Sequence, residues 1–181
     1  KDLLVHETNL TNLSLLETKF NSLKTEQGIE YKFINNQLNG KLVVPEDKEK
    51  NLSFEFDFIK INQSSTGSQD SFLSLYNGIK DELDFSADAI ILNGKNYGNW
   101  QFSILPEYNK LTLYNIKGVY GKWGLKDNKE GLSSLQIIKN TIGWTSNLTT
   151  NIYSGSPEKA MTQIGISPNF ELDTLSLDAS L

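Results

Sequence analysis

Side chains able to carry out catalysis are scarce in this chain. The single imidazole is that of His6, and the chain has neither cysteine nor arginine. Metal sites and nucleophilic centres combine several His, Cys or carboxylate groups at fixed spacing, and no such spacing surrounds His6. The absence of arginine also removes the side chain best suited to bidentate anion binding. The sequence therefore predicts a protein that is not an enzyme and that uses no metal and no cofactor.

Carboxylates are plentiful, but their pattern is typical of a solvent-facing side of a strand. Asp84 and Asp88 alternate with apolar residues such as Phe85, so we expect their side chains to face water. Alternation by itself does not supply the fixed carboxyl separation of a glycosidase. Gly118 and Gly121 do not join a strand to a helix, as a phosphate-binding loop requires, and are interpreted as turn glycines.

Three tryptophans could stack on sugar rings if they were exposed. Trp100, Trp123 and Trp144 all lie inside alternating runs, where packing against other apolar side chains is the default. The net charge of −5 and the pI near 4.9 give no basic surface for neutralising phosphates, which argues against nucleic acid as a partner. The apolar runs are all shorter than the roughly 18 residues of a membrane span.

Alternation of apolar and polar residues is the main structural signal. Its clearest instance is Leu52, Phe54, Phe56 and Phe58, separated by Ser, Glu and Asp. A period of two places all four side chains on one face of a strand. Similar runs recur along the chain, so the sequence predicts a mostly β fold with an antiparallel meander sheet.

Short turn signals separate these runs. Asn39-Gly40, Asn93-Gly94, Asp127-Asn128 and the segment 26–28 are each short enough to join neighbouring strands as hairpins. The polar stretch 62–70 is interpreted as a mobile loop or as a boundary between subunits of the fold.

One segment has helical character. Ser156 and Pro157 suit the start of a short α-helix, and Gly165 suits its end. Residues 10–23 fit either helix or strand, because regularly spaced leucines compete there with a high content of Thr and Asn.

An internal repeat is indicated by sliding the chain on itself by 81 residues, which places 39–49 on 120–130. We therefore predict approximate repeat units 10–61 and 93–138, followed by a strand-helix-strand segment over 142–181. If the units are related, 29–61 and 111–138 should both read as strand, turn, strand. The whole chain 1–181 is expected to be a fragment of a longer protein, because Lys1 follows no start Met and the last strand runs to the end.

A family resemblance rests on the order of five features. These are 93–102, with its Asn-Gly turn and Trp100; 115–118; 143–148; a helix followed by 164–168; and the alternating strand 170–177. Their order resembles the AsmA-like superfamily, and within it the large periplasmic YhdP branch, relatives of TamB. The resemblance covers most of residues 29 to 181. This chain departs from the family in having Lys where relatives often have Arg, and Ser-Pro at 167–168 where they favour Ala-Pro.

The resemblance implies a Gram-negative protein anchored in the inner membrane, whose repeated sheet curls into an open, taco-like apolar groove. Through such a groove phospholipid would cross the periplasm toward the outer membrane. Its partners would be phospholipid acyl chains and flanking segments of the same protein. The residues alone leave other readings open, namely a filled sandwich core, a β-sandwich adhesion or glycan-binding module of a surface protein, and a closed lipocalin-like barrel.

The predicted lipid-binding residues share one property: each belongs to an alternating run. They are Leu52, Phe54, Phe56, Phe58, Phe85, Ala87, Ile91, Trp100, Phe102, Ile104, Leu111, Leu113, Leu135, Ile137, Leu148 and Ile152.

Overall fold

The computed structural model describes residues 2–10, 13–61, 81–107, 109–127, 131–140, 143–163, 165 and 175–180. The chain divides into two compact units, unit 1 (Lys1–Asn96) and unit 2 (Tyr97–Leu181). The prediction of a mostly β, mainly antiparallel meander with one short helix is confirmed.

Unit 1 contains eight strands among its described residues: β1 (Asp2–Leu10), β2 (Leu13–Thr25), β3 (Gly28–Ile34), β4 (Leu38–Pro45), β5 (Leu52–Ile61), β6 (Leu83–Ala87), β7 (Ile90–Leu92) and β8 (Lys95–Asn96). Strands β1 to β5 pair antiparallel in chain order. Of the segment 10–23, ambiguous in sequence, the described residues 10 and 13–23 are strand, because its leucines pair with β1 and β3.

The pairing of β5 departs from the predicted antiparallel meander. Both β6 and β7 run parallel to β5 and lie end to end along it. A parallel neighbour requires a crossover of a dozen or more residues, which the chain between Ile61 and Leu83 is long enough to supply. The predicted loop 62–70 lies in that segment, outside the described residues.

Two of the predicted turns are confirmed, and one is wrong. Asn93 and Gly94, with φ of 50° and 79°, form the two-residue turn of the β7–β8 hairpin, where the αL region favours Asn-Gly. Residues 26–27 turn between β2 and β3. Asn39-Gly40, by contrast, lies inside β4, because the chain has already turned at 35–37, where the Asn35 Oδ1 accepts hydrogen bonds from the Gln37 and Leu38 amides (2.7 Å each). The fourth predicted turn, Asp127-Asn128, lies partly outside the described residues.

Unit 2 contains six strands among its described residues: β9 (Asn99–Glu107), β10 (Lys110–Tyr120), β11 (Trp123–Lys126), β12 (Ser134–Asn140), β13 (Gly143–Ser154) and β14 (Leu175–Ser180). Strands β11 and β12 lie end to end between β10 and β13, so that together they fill one strand position. Strand β14 pairs with β13.

The two predicted repeat stretches share an order of strands and turns but not a pairing pattern. In unit 1, β3, β4 and β5 are successive neighbours. In unit 2, β10 pairs with both β11 and β12. The reason is that β11 and β12 run in the same direction. Together they occupy the one position between β10 and β13, so β12 does not become a new neighbour in the sheet. Within the described parts of both stretches there is no helix.

The predicted helix is confirmed as α1 (Pro157–Gln163). Pro157 occupies its first position, where the missing amide hydrogen costs nothing. The Ala160 amide donates to the Ser156 carbonyl (3.0 Å), and Gly165, with φ of 83°, follows its end. Ala160 and Pro157 are fully buried, so the helix is held by these small apolar side chains.

Candidate functional site

Most of the described apolar side chains of unit 1 lie on one side of the sheet, which we call the phenylalanine face. Cα partners in neighbouring strands project their side chains to the same side, so the register assigns the face directly. Its members in the described chain are Phe20, Ile29, Tyr31, Phe33, Leu38, Leu42, Val44, Leu52, Phe54, Phe56, Ile59, Ile61, Leu83, Phe85, Ala87, Ile90 and Leu92.

Ring contacts connect this face across the strands. The ring centroid of Phe56 lies 5.5 Å from that of Phe33 and 5.6 Å from that of Phe85. Phe33 and Phe56 are separated by β4, where their common neighbour is Gly40. A Cβ at Gly40 would meet the Phe56 Cδ1 at 2.8 Å, so the missing side chain is what lets the rings meet.

This face is only partly shielded from water. Phe54, Phe56 and Phe85 are half-buried, while Ile29 and Tyr31 are 38% and 41% exposed. Within the described part of unit 1, close packing joins neighbouring strands and no helix or second sheet layer packs against them. A filled sandwich core would bury all of these side chains almost fully, whereas on this face Leu38, Leu83 and Ala87 are buried and the rings are not. The phenylalanine face therefore offers accessible apolar area.

Two predicted lipid-binding residues of unit 1, Phe58 and Ile91, lie on the side of the sheet opposite the phenylalanine face. A β-bulge at Asp57 shifts the register, so that Phe58 pairs with Asn39 while Ile59 pairs with Leu38. Phe58 is turned away from Phe56, and Lys60 Nζ lies 4.9 Å from its ring centroid. Ile91, which pairs with Lys60, shares that side. The predicted single face is wrong for these two residues, because a bulge reverses the alternation beyond it.

Most of the described apolar side chains of unit 2 also lie on one side of their sheet, which we call the aliphatic face. The register groups there all nine predicted residues of this unit, Trp100, Phe102, Ile104, Leu111, Leu113, Leu135, Ile137, Leu148 and Ile152, together with Ile116 and Leu125. A bulge lies between Tyr114 and Lys117, with Asn115 at φ 55°. Because it restores the alternation before Gly118, the face stays apolar on both sides of it.

Aromatic residues gather at one end of the aliphatic face, and we call this the aromatic end. Tyr120 and Trp123 are cross-strand partners, and Tyr97 stacks on Tyr120 with centroids 5.2 Å apart. Trp100 lies over Gly118 and its Nε1 donates to the Tyr97 carbonyl (2.7 Å). All four aromatic side chains are half-buried, so part of each ring surface meets water.

Helix α1 lies beside the aromatic end. The Trp123 Nε1 donates to the Ala160 carbonyl at 3.0 Å, which fixes the indole against the helix. Gln163 packs over the β10–β11 turn, where its Oε1 accepts from the Lys122 amide (3.2 Å). The indole nitrogens are thus satisfied by backbone carbonyls, and the rings are held in one orientation.

A buried hydroxyl pair closes the break between β11 and β12. Ser133 and Thr150 are fully buried, and the Ser133 Oγ lies 2.8 Å from the Thr150 Oγ1. The Thr150 hydroxyl also donates to the Lys126 carbonyl (3.3 Å), and the Asp127 Oδ1 accepts from the Ser133 amide (3.0 Å). These bonds satisfy polar groups that the interrupted strand would otherwise leave unpaired.

The side of unit 1 opposite the phenylalanine face carries a polar cavity of about 390 Å³. Lys41 bridges Glu30 (3.4 Å) and Glu55 (3.3 Å) across β3, β4 and β5. Partial burial lowers the pKa of Lys41, but the two carboxylates more than offset this and hold the pKa above its usual value. The predicted solvent-facing carboxylate Asp88 also lines this cavity. Sequence reasoning missed the cavity, although Glu30, Lys41 and Glu55 stand at the polar positions of three alternating runs.

The remaining candidates add no further chemistry. Within the described residues, no group of three or more His, Cys, Asp or Glu side chains could hold a metal ion. His6 lies in β1 and the position of its side chain is outside the described part. None of the helical residues described forms a segment long and apolar enough to cross a membrane.

Compared with protein-family models, with curated proteins and with solved structures, the chain gives no significant match. The case for a function therefore rests on the two apolar faces.

Proposed function

We propose that this chain is the lipid-binding segment of a bridge-like periplasmic protein, and that its two apolar faces hold phospholipid acyl chains on their way between the inner and outer membranes. The observation that carries the proposal is the phenylalanine face, whose aromatic side chains remain half-buried on a sheet with no described layer over it. The resemblance to the AsmA-like superfamily supports the periplasmic setting and the inner-membrane anchor of the full-length protein.

The energetics favour a hydrocarbon ligand. Each methylene removed from water contributes about 0.8 kcal/mol, so an acyl chain lying along these rings gains stabilisation without any polar contact. The face offers few groups with which a polar ligand could bond, because its members around Phe56 are Phe, Leu, Val and Ile side chains. Such binding requires neither a catalytic residue nor a cofactor.

Two nearby positions of β5 provide a matched test, because the bulge at Asp57 places Phe56 and Phe58 on opposite sides of the sheet. Each would be replaced in turn by the photo-crosslinking residue p-benzoyl-phenylalanine and irradiated with phospholipid vesicles. We expect lipid adducts at position 56 and few at position 58. Equal labelling at the two positions, or labelling at 58 alone, would rule out the phenylalanine face as the binding surface.

A second candidate function is supported by the polar cavity. A depression of about 390 Å³ lined by Lys32, Lys41, Glu55 and Asp57 suits a small hydrated ligand such as a sugar, as in an adhesion or glycan-binding module. Substitution of Lys41 by Met would remove the cation shared by Glu30 and Glu55. Under this alternative, glycan-array binding is present in the wild-type chain and lost in Lys41→Met, while lipid labelling at position 56 is absent.

A further inference from the structure

Helix α1 covers part of the aliphatic face at its aromatic end. Trp123 lies two residues before Leu125 in β11, so both side chains project to the apolar side of the sheet. The Trp123 Nε1 donates to the Ala160 carbonyl at 3.0 Å. Because the indole reaches outward from the sheet to make this bond, the helix backbone is held on the apolar side, over the aromatic end.

The contacts described for the helix involve small groups. Its buried side chains are those of Pro157 and Ala160, which are one ring and one methyl group. The β10–β11 hairpin bonds to it through the Trp123 indole and through the Lys122 amide, which donates to the Gln163 Oε1 at 3.2 Å. A helix of seven residues is too short to be stable in water without packing. Its position on the face therefore depends on a small contact area.

Glycines flank the helix on both sides, where the backbone has room to change direction. A Cβ added at Gly155 or at Gly165 would meet no atom within 4 Å. Gly155 directly follows Ser154, the buried last residue of β13. Hinges are formed by a few residues at the ends of elements that absorb large changes in backbone dihedral angles. Rotation at Gly155 would move the helix and leave the strand paired.

Hydrocarbon competes with the helix for the same part of the face. The buried groups of α1 and the methylenes of an acyl chain are stabilised in the same way, by removal of apolar area from water. One methyl group and one proline ring present less apolar area than a run of methylenes laid over Trp123 and Leu125. Strand β11 beneath them keeps its pairing with β10 and β13 in either case.

We propose that α1 is a lid that covers the aromatic end of the aliphatic face and turns away at Gly155 when hydrocarbon occupies that face. This inference rests on the proposed lipid-binding function and adds to it a conformational change. The hydrogen bonds from Trp123 to Ala160 and from Lys122 to Gln163 hold the lid closed, and we call them the latch. The latch opens before hydrocarbon reaches Trp123, so it controls the rate of lipid entry.

Distances between paired spin labels test the movement in the full chain. The chain has no cysteine, so two labels can be attached at two introduced cysteines. The test pair, Lys159→Cys with Gln101→Cys, joins an exposed position of α1 to β9. The control pair, Asn147→Cys with Gln101→Cys, joins two strands on the side opposite the aliphatic face. We expect dioleoylphosphatidylcholine vesicles to shift the distance distribution of the test pair and to leave the control pair unchanged.

Native mass spectrometry of the same samples separates failure of the lid from failure of the proposed function. An unchanged test pair in a chain that carries phospholipid adducts overturns the lid and leaves lipid binding standing. Equal shifts in the test and control pairs show that the sheet itself rearranges, and they also overturn the lid. A chain without phospholipid adducts overturns the proposed function, and the lid with it.

Neighbouring residues of α1 provide a matched test of the latch. Gln163→Met removes the amide that bonds to the hairpin, whereas Thr162→Val removes a hydroxyl that donates within the helix, to the Glu158 carbonyl at 2.8 Å. Both side chains are exposed, so neither change disturbs buried packing. We expect the initial rate of transfer of a fluorescent phosphatidylcholine from vesicles to rise severalfold in Gln163→Met and to stay unchanged in Thr162→Val. No rise in Gln163→Met, or an equal rise in both variants, would contradict the latch.

Discussion

Both units place an aromatic ring beside a strand glycine on their apolar side, but the rings are held differently. In unit 1, Gly40 lets Phe33 and Phe56 meet, and no hydrogen bond fixes either ring. In unit 2, Trp100 covers Gly118 and Trp123 contacts the helix, with both indoles bonded to carbonyls. The comparison teaches that two aromatic rings can meet over a strand glycine without any hydrogen bond, whereas an indole beside a strand glycine is also held by a hydrogen bond to a backbone carbonyl.

The largest expected loss of stability comes from substituting the two strand glycines. A Cβ at Gly40 would lie 2.4 Å from the Glu55 carbonyl oxygen and 2.9 Å from the Phe56 Cα, both backbone atoms that cannot move aside. A Cβ at Gly118 would meet one backbone atom, the Asn99 carbonyl oxygen at 2.9 Å, and otherwise the Trp100 ring. We expect Gly40→Val to lower the free energy of unfolding by about 3 kcal/mol and Gly118→Val by about 1 kcal/mol.

Chemical denaturation of both variants would measure this difference, with Gly131→Ala as control, since a Cβ at Gly131 meets no atom within 4 Å. The control should change stability by less than about 0.5 kcal/mol. Equal losses at Gly40 and Gly118 would show that the two glycines act alike and that the comparison is wrong.

A smaller loss of stability is expected from substituting Asn35, in the turn before β4. The Asn35 Oδ1 accepts hydrogen bonds from two backbone amides, and its Nδ2 donates to the Thr18 Oγ1 at 2.8 Å. Thr18 is fully buried. Asn35→Ala leaves these groups without their partner and should cost about 2 kcal/mol. The exposed neighbour Asn36, replaced by Ala, should cost less than about 0.5 kcal/mol in the same thermal or chemical denaturation. A loss at Asn36 equal to that at Asn35 would contradict the role given to this side chain.

The alternation of residues was sufficient to predict most strands and the grouping of all nine residues of the aliphatic face. It could not predict the bulge at Asp57, because a bulge adds one residue without changing the local pattern, and Phe58 still alternates with Phe56. Asn39-Gly40 has the composition of a hairpin turn, yet Gly40 is required inside a strand by the ring of Phe56. The parallel pairing of β6 depends on contacts distant in sequence, which no local pattern encodes.

The smallest effects concern exposed ion pairs, one in each unit. The Lys24 ammonium, 2.7 Å from Glu46, lowers the pKa of that carboxyl below its usual 4.5, and Lys110 does the same for Glu107. A lowered carboxyl pKa adds stability above pH 4.5 that is lost as the pH falls through the folded-state pKa. Carboxyl titration by NMR should show the Glu46 pKa rising in Lys24→Met and the Glu107 pKa rising in Lys110→Met. An unchanged titration in either variant would show that the pair does not form.

Native mass spectrometry of the chain purified without detergent tests the central claim most directly. We predict mass adducts of phospholipid on the wild-type chain, retained in Phe58→Asp and lost in Phe56→Asp, because Phe56 alone of the two belongs to the phenylalanine face. Circular dichroism of both variants would establish that the sheet is intact. A folded wild-type chain that shows only its bare mass in the presence of phospholipid vesicles would contradict the account.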